Sequence, residues 1–360
     1  MLTDGKNGLV NLQFEDLCNS DCSVRARLLR SLEQAYGPEG LGILTVAGVP
    51  SFLELRREVL PLTAEFVALP ENVRESYADP ASSYSFGWSH GKEALEDGVF
   101  DTLKGSFYAN PMQDNIHMED RLQQQYPSYC RPNIWPEKHL PQLQPRFQAL
   151  GQLMAAVGEH LAALCDDYMR QKGVQPCSGS LQQIMEKGRP CYKARLLHYF
   201  ADPECASKGS ETQAPWCGWH TDHSSLTGLA SAMYIKDRQE VPNPDSTSGL
   251  YIRRQDGTTV QVKVPADHIA FQMGEAMQIH SGGLLRATMH CVKGAAGPAA
   301  AEVTRHSFAL FMQPRWDQPM DLPPGTASSQ MGVGQWQPGL DFGQFSELTV
   351  QHYYRNGKQA

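Results

Sequence analysis

Trp219-His220-Thr221-Asp222-His223 (219–223) is the stretch on which the reading of this chain turns. In an extended strand, successive side chains point to opposite faces. His220 and Asp222 then share one face and His223 looks to the other. Sixty-eight residues beyond Asp222 comes His290, within Ala287-Thr288-Met289-His290-Cys291-Val292. Two imidazoles and a carboxylate can cap one triangular face of an octahedral metal and leave three positions open. That suits Fe(II) that must bind a co-substrate and O2 together. Arg305-His306-Ser307 follows fifteen residues after His290. Period-2 geometry puts Arg305 and Ser307 on one face, where a guanidinium fork beside a hydroxyl makes a seat for a carboxylate. The His-x-Asp pair alone is weak, because a lone strand histidine is more often a packed core residue. The ordered set of three motifs is far more specific.

The surroundings read as β structure. Residues 190–315 carry short β-prone runs between turn clusters: 194–200, 249–253, 258–264, 268–273, 276–280 and 306–312, with Gln255-Asp256-Gly257 as a hairpin turn. Such spacing predicts a sandwich, barrel or jelly roll. Upstream, 9–14 alternates like a strand, 21–36 has helical spacing with Ser20 or Asp21 as N-cap, and Ile43 to Val46 is β-prone. Ser51 to Ala68 predicts a helix interrupted by Pro61. The longest helical pattern runs from about 141 to 171, and 73–135 is less regular. The stretch 320–345, rich in Pro, Gly, Gln and Ser, predicts an irregular tail.

Composition narrows the function classes. The chain has 360 residues, 41% apolar and 19% charged, so a sizeable core is available. A net charge of -8 argues against nucleic acid and against an anionic membrane surface. Nine cysteines at irregular positions read as reduced thiols. Cys217, three residues before His220, reads either as a member of a metal site or as a small buried thiol. The opening MLTDGKNGLV carries no long apolar run, and no stretch of about 20 apolar residues occurs. A cytoplasmic monomer acting on a small molecule, with no nucleic-acid or membrane partner, is the expectation.

Region 190–315 resembles the double-stranded β-helix core of the 2-oxoglutarate/Fe(II) oxygenases. The nearest group is the subfamily of isopenicillin N synthase, anthocyanidin synthase, gibberellin oxidases and ACC oxidase, whose members carry His-x-Asp, His and Arg-x-Ser in this order. Gly274-Glu275 stands where the family has Gly-Asp, and Ser281-Gly282-Gly283 resembles its Ser-Asn-Gly turn. Further upstream, Gly40-Leu41-Gly42-Ile43 to Val49-Pro50, Leu69-Pro70 and Asn133-Ile134-Trp135-Pro136 resemble its N-terminal motifs more loosely. The resemblance implies a mainly β fold with flanking helices: a jelly-roll core with an N-terminal α/β region. The parts would be 1–125 (N-terminal region), 126–318 (core preceded by a long helix) and 319–360 (irregular tail). It implies a dioxygenase that hydroxylates or desaturates a small organic molecule with release of succinate and CO2. His220, Asp222 and His290 would hold Fe(II), and Arg305 and Ser307 would hold 2-oxoglutarate. O2 is the second co-substrate and ascorbate a reductant. The presence of Asp222 argues against a halogenase, where halide replaces the carboxylate.

There are departures and rivals. The family often has Asn-Tyr-Tyr-Pro before the His-x-Asp, its second Tyr touching 2-oxoglutarate; matched to His198-Tyr199-Phe200-Ala201, that position falls on Phe200. His198 would then point inward with Phe200, as a pocket residue or as a packed strand histidine. Residues 201–215 read as a solvated loop or a substrate lid. Trp216 and Trp219 read as core or pocket wall, and Arg195 and Lys193 as solvated charges or substrate contacts. At least one of Gly87-Trp88 and Lys104–Tyr108 is expected in the pocket, while His268, His280 and His306 read as structural. The rival functions are an Fe(II) oxidase of the isopenicillin N synthase or ACC oxidase kind that does not use 2-oxoglutarate, a zinc hydrolase on the same triad, and a non-catalytic binding protein.

Overall fold

The computed structural model describes residues 8–92, 101–115, 120–202, 204, 215–327 and 331–355. Its strands are β1 (Val10–Gln13), β2 (Ile43–Ala47), β3 (Gly87–His90), β4 (Lys104–Ala109), β5 (Lys193–Tyr199), β6 (Pro215–His220), β7 (Leu226–Lys236), β8 (Gln239–Val241), β9 (Gly249–Arg253), β10 (Thr259–Val262), β11 (Ile269–Met273), β12 (His290–Lys293) and β13 (Thr304–Met312). Among the described residues they form two sheets. The larger has nine strands in the order β1-β2-β11-β7-β13-β5-β4-β3, with β8 on β7; the smaller runs β10-β9-β12-β6. The two face each other as a mainly β jelly roll with flanking helices.

β13 is the spine. It pairs antiparallel with β5, setting Arg305 opposite Tyr199 and Ser307 opposite Leu197. On its other side it pairs with β7 through an irregularity between His306 and Phe308. The outer face of the large sheet is covered by the helix Leu143–Gln171, whose Phe147, Leu150, Met154, Val157 and Leu161 are buried. Phe147 meets Phe308 edge to face at 4.9 Å. Gly158 lets helix and sheet touch, since a Cβ there would lie 2.4 Å from the Met312 sulfur. Burial at about 25 cal/mol per Å² makes this the principal source of stability. The inner face lines a cavity between the sheets.

Strands from 1–125 hydrogen-bond directly into the core: β2 pairs with β11 and β4 with β5. The boundary drawn at 125 is therefore not a break in the sheet. β3 and β4 also fall within 73–135, where the sequence gives no regular pattern. Both are short, and β4 is buried along nearly all its length, so no two-residue alternation shows.

Three sequence expectations are corrected. Residues 276–280, expected as a strand, lie in the helix Glu275–His280. The Glu275 and Ala276 amides donate to the carbonyls of Asp222 (2.8 Å) and Ser224 (3.2 Å), which satisfy the helix's first-turn donors. All six residues are buried, so no helical stripe is visible. The tail 319–360, expected irregular, carries the helix Phe342–Arg355. Phe342, Phe345, Ser346 and Thr349 form its buried face at helical spacing, beneath a Pro- and Gly-rich approach that obscures the pattern. Finally, β6 stops at His220, so Asp222 lies in a loop and not in a strand. The remaining expected elements are present, including the helix Cys22–Tyr36, whose N-cap Asp21 accepts from the amides of Ser23 and Val24.

Candidate active site

His220 at the end of β6 sits directly across from His290 at the start of β12. Asp222 follows in the β6–β7 loop. Asp222 Oδ1 lies 3.7 Å from His220 Nε2 and 3.9 Å from His290 Nε2. All three ligand atoms fall within 4.8 Å of one another. Among the described residues this is the grouping able to hold a metal ion.

The histidines are oriented from behind. His220 Nδ1–H donates to the Gly218 carbonyl at 2.8 Å, which turns Nε2 toward Asp222. His290 Nδ1 lies 3.2 Å from the Thr288 carbonyl and 2.6 Å from the Gln272 side-chain amide. Burial alone would raise the Asp222 carboxyl, but His290, His220 and the Thr227 hydroxyl hold it below the usual carboxylate range. An anionic oxygen and two imidazole nitrogens on one side of an open cavity fit a divalent first-row metal.

Arg305 and Ser307 line the same cavity, which has a volume of about 400 Å³. Arg305 lies on the faces of Tyr199 (4.7 Å to the ring centre) and Trp216 (6.0 Å). Its Nε and Nη1 are buried without a hydrogen-bond partner. Buried guanidinium nitrogens are costly unless an anion meets them. The cradle thus fits a ligand carboxylate.

Tyr199, not Phe200, is on the cavity face together with Arg195 and Leu197. His198 lies on the opposite face: it is buried, its Nδ1 3.5 Å from the Thr63 hydroxyl and its ring 4.8 Å from His306. The expectation that His198 and Phe200 point inward is therefore corrected; it set strand parity one residue off. Pairing with Arg305 fixes the parity, and sequence spacing alone does not reveal that pairing. Tyr199 and Gln272 are the site residues that sequence reasoning missed.

The other candidates fall into place around this frame. Cys217 lines the cavity 3.8 Å from His220 Nδ1, outside the metal-competent group. Burial opposes its ionisation, yet Lys104 and His220 hold the thiol below its usual range. Gly87-Trp88 and Lys104–Tyr108 are absent from the described cavity lining. They stand one layer back, where Lys104 pairs with Asp101 at 2.9 Å and Ser106 accepts from Arg195 Nε at 2.8 Å. Lys193 is turned away onto the Phe86 ring, 4.5 Å from its centre. Trp216 is buried beside Tyr199, while Trp219 carries Arg253 on its ring. His280 and His306 are buried and hydrogen-bonded to carbonyls of Pro319 and Leu60. Most of the loop 201–215 lies outside the described residues.

Residues 11–138 match the family model of the N-terminal region of the non-haem dioxygenase in morphine synthesis. The whole chain superposes on the full-length Neurospora crassa thymine hydroxylase in complex with alpha-KG and 5-formyluracil, with TM-score 0.71, 17% identity and coverage of 98% of both chains. It also superposes on JOX2 in complex with 2OG, Fe and JA (TM-score 0.61, 17% identity, 97% of this chain and 88% of that one). A third similar structure is the dioxygenase for auxin oxidation in rice (TM-score 0.60, 16% identity, 96% and 95%).

The fold is that of the 2OG-Fe(II) oxygenases.

In this oxygenase fold the triad and the Arg305 cradle open into one cavity. A search of curated protein sequences finds no match. No described helix is long and apolar enough to cross a membrane.

Proposed function

We propose that this chain is an Fe(II)- and 2-oxoglutarate-dependent dioxygenase that hydroxylates or desaturates a small organic molecule, releasing succinate and CO2. The observation that carries the reading is the shared cavity: a His220, Asp222 and His290 cluster at one place, and at another the unpartnered Nε and Nη1 of Arg305. Bound Fe(II), with 2-oxoglutarate and O2, supplies the oxidation, one oxygen atom entering succinate and the other the substrate or water.

The chain's own residues position and exclude. His220, Asp222 and His290 present two neutral nitrogens and one anionic oxygen to the metal. Arg305, with Ser307 and Tyr199 beside it, receives the far carboxylate of 2-oxoglutarate as a charge-assisted pair. Leu229, Leu250 and Val262 add apolar surface to the cavity lining, which disfavours competing water. The chemistry sits on 126–318, with 1–125 and 319–360 as flanking parts. A cytoplasmic monomer with ascorbate as reductant belongs to the same reading. The small-molecule substrate is supported by the small ligands of the similar structures.

The test is anaerobic titration of the Fe(II)-loaded chain with 2-oxoglutarate, followed by O2 uptake with succinate quantified. The expected result is a visible charge-transfer band on adding 2-oxoglutarate and succinate formation matched to O2 consumption. His220→Ala is expected to abolish both. Arg305→Met is expected to retain metal and weaken 2-oxoglutarate at least tenfold. O2 consumption without succinate would sink the 2-oxoglutarate reading.

A further inference from the structure

Asp222 sits on a loop, and a loop ligand needs anchoring if the metal geometry is to hold. One flank of the loop is fixed by backbone. The Gly274 amide donates to the Ser225 carbonyl and the Glu275 amide to that of Asp222. The Thr221 hydroxyl donates to Glu275 Oε1. On the other flank the Thr227 hydroxyl holds the Asp222 carboxylate and the Ser225 amide donates to the Met312 carbonyl, while the His223 side chain reaches an element more than a hundred residues away in sequence. The His223 ring stacks on Phe342 (centroids 5.9 Å apart, planes at 21°) and meets Phe345 edge-on at 6.3 Å. Its Nε2 lies 3.2 Å from the Ser346 hydroxyl. Phe342, Phe345 and Ser346 all belong to the buried face of the helix Phe342–Arg355.

That helix is itself fastened to the body. Phe342 packs against Tyr129 at 5.6 Å, and Glu347 Oε1 accepts from the Ser128 amide and hydroxyl. The Phe342 amide donates to the Gln318 carbonyl. The arrangement places a rigid block on the residue next to the Asp222 ligand.

We propose that His223 is a positioning residue: it latches the Asp222 loop to the C-terminal helix and so sets the affinity of the metal site. This rests on the reading of His220, Asp222 and His290 as that site. His223 touches no ligand itself; it limits how far the neighbouring carboxylate can swing. Partners that orient metal ligands are typically worth 10–100-fold in affinity.

The experiment is Mn(II) titration of the full chain followed by loss of the free-ion EPR signal, with melting of the metal-free protein measured in parallel. His223→Ala is expected to raise the Mn(II) Kd at least tenfold. Ser346→Ala, distant from the metal, is expected to raise it several-fold by releasing the hydrogen bond alone. His223→Phe, which retains the ring stack, is expected to fall between wild type and His223→Ala. A purely structural role would lower the melting temperature and leave Kd at the wild-type value in all three, and that result overturns the latch. Wild-type chain that binds no Mn(II) overturns the triad reading, and the latch with it.

Discussion

Tyr199 and Phe200 differ by one position and by the side of the sheet they face. By motif position the co-substrate hydroxyl belongs at residue 200, and Phe200 has none. The pairing of Tyr199 with Arg305 brings a phenol to the cavity instead, while Phe200 packs against His90 at 4.8 Å and His198 at 4.6 Å. Tyr199→Phe is therefore expected to weaken 2-oxoglutarate about fivefold, the size of one net hydrogen bond. Phe200→Tyr is expected to leave that affinity unchanged. Measured 2-oxoglutarate Kd values in the reverse order would show the assignment to be wrong. The grouping of His220, Asp222 and His290 was legible only from the ordered set of His-x-Asp, His and Arg-x-Ser, since the His-x-Asp pair alone is weak. Gln272, beside His290 Nδ1, carries no such signature, since a glutamine in a buried strand has many uses.

Among elements, the β6–β7 loop and the helix Glu275–His280 form one unit. Gly274 is the joint: a Cβ there would lie 2.0 Å from the Ser224 carbonyl oxygen. That atom is backbone and cannot swing aside. Gly274→Ala is expected to push the Asp222 loop outward, costing about 2 kcal/mol or more of stability and weakening Mn(II) binding in the same variant. Urea unfolding and metal titration check the two effects separately; unchanged values in both would refute the joint. This unit explains why the strand expected at 276–280 failed. Local propensity there is ambiguous, and the carbonyls of a distant loop decide the matter by capping a helix. The helix Leu143–Gln171 was legible for the opposite reason. Its apolar stripe runs over many turns, and a long amphipathic pattern leaves little choice.

For the whole molecule, the layering against the large sheet buries histidines that lie outside the cavity lining. His306 donates from Nδ1 to the Leu60 carbonyl, and Thr304 lies at its Nε2, 2.9 Å away. Burial pulls His306 down to about 4 and His198 down to about 2. Unfolded, each titrates near 6.5. The folded state then binds fewer protons than the unfolded one between those values, so stability falls as pH falls. The full contribution is present above about pH 6.5 and is progressively lost toward pH 4, on the order of 3 kcal/mol from His306. The urea midpoint of the metal-free chain is expected to drop between pH 6 and 4.5. A midpoint that holds level to pH 4.5 would contradict this. The same layering joins β1 to β4 with the core strands.

Read without the structure, the sequence carries the order of the candidate ligand residues and a β-rich core region. Ligand-type residues in a fixed order single out His220, Asp222, His290, Arg305 and Ser307 as candidates, and the period-2 runs around them leave a sandwich, barrel or jelly roll open, among which the family resemblance implies the jelly roll. Parity, capping and support come from contacts between segments remote in sequence. Strand parity at Tyr199 depends on which residue of β13 lies opposite. The helix at Glu275 depends on the carbonyls of a loop some fifty residues earlier. The position proposed for His223, beside Asp222, depends on a C-terminal helix whose pattern is hidden behind prolines and glycines. In each case the deciding partner is remote in sequence. Short-range periodicity records which face a residue prefers to bury, but not what it is buried against.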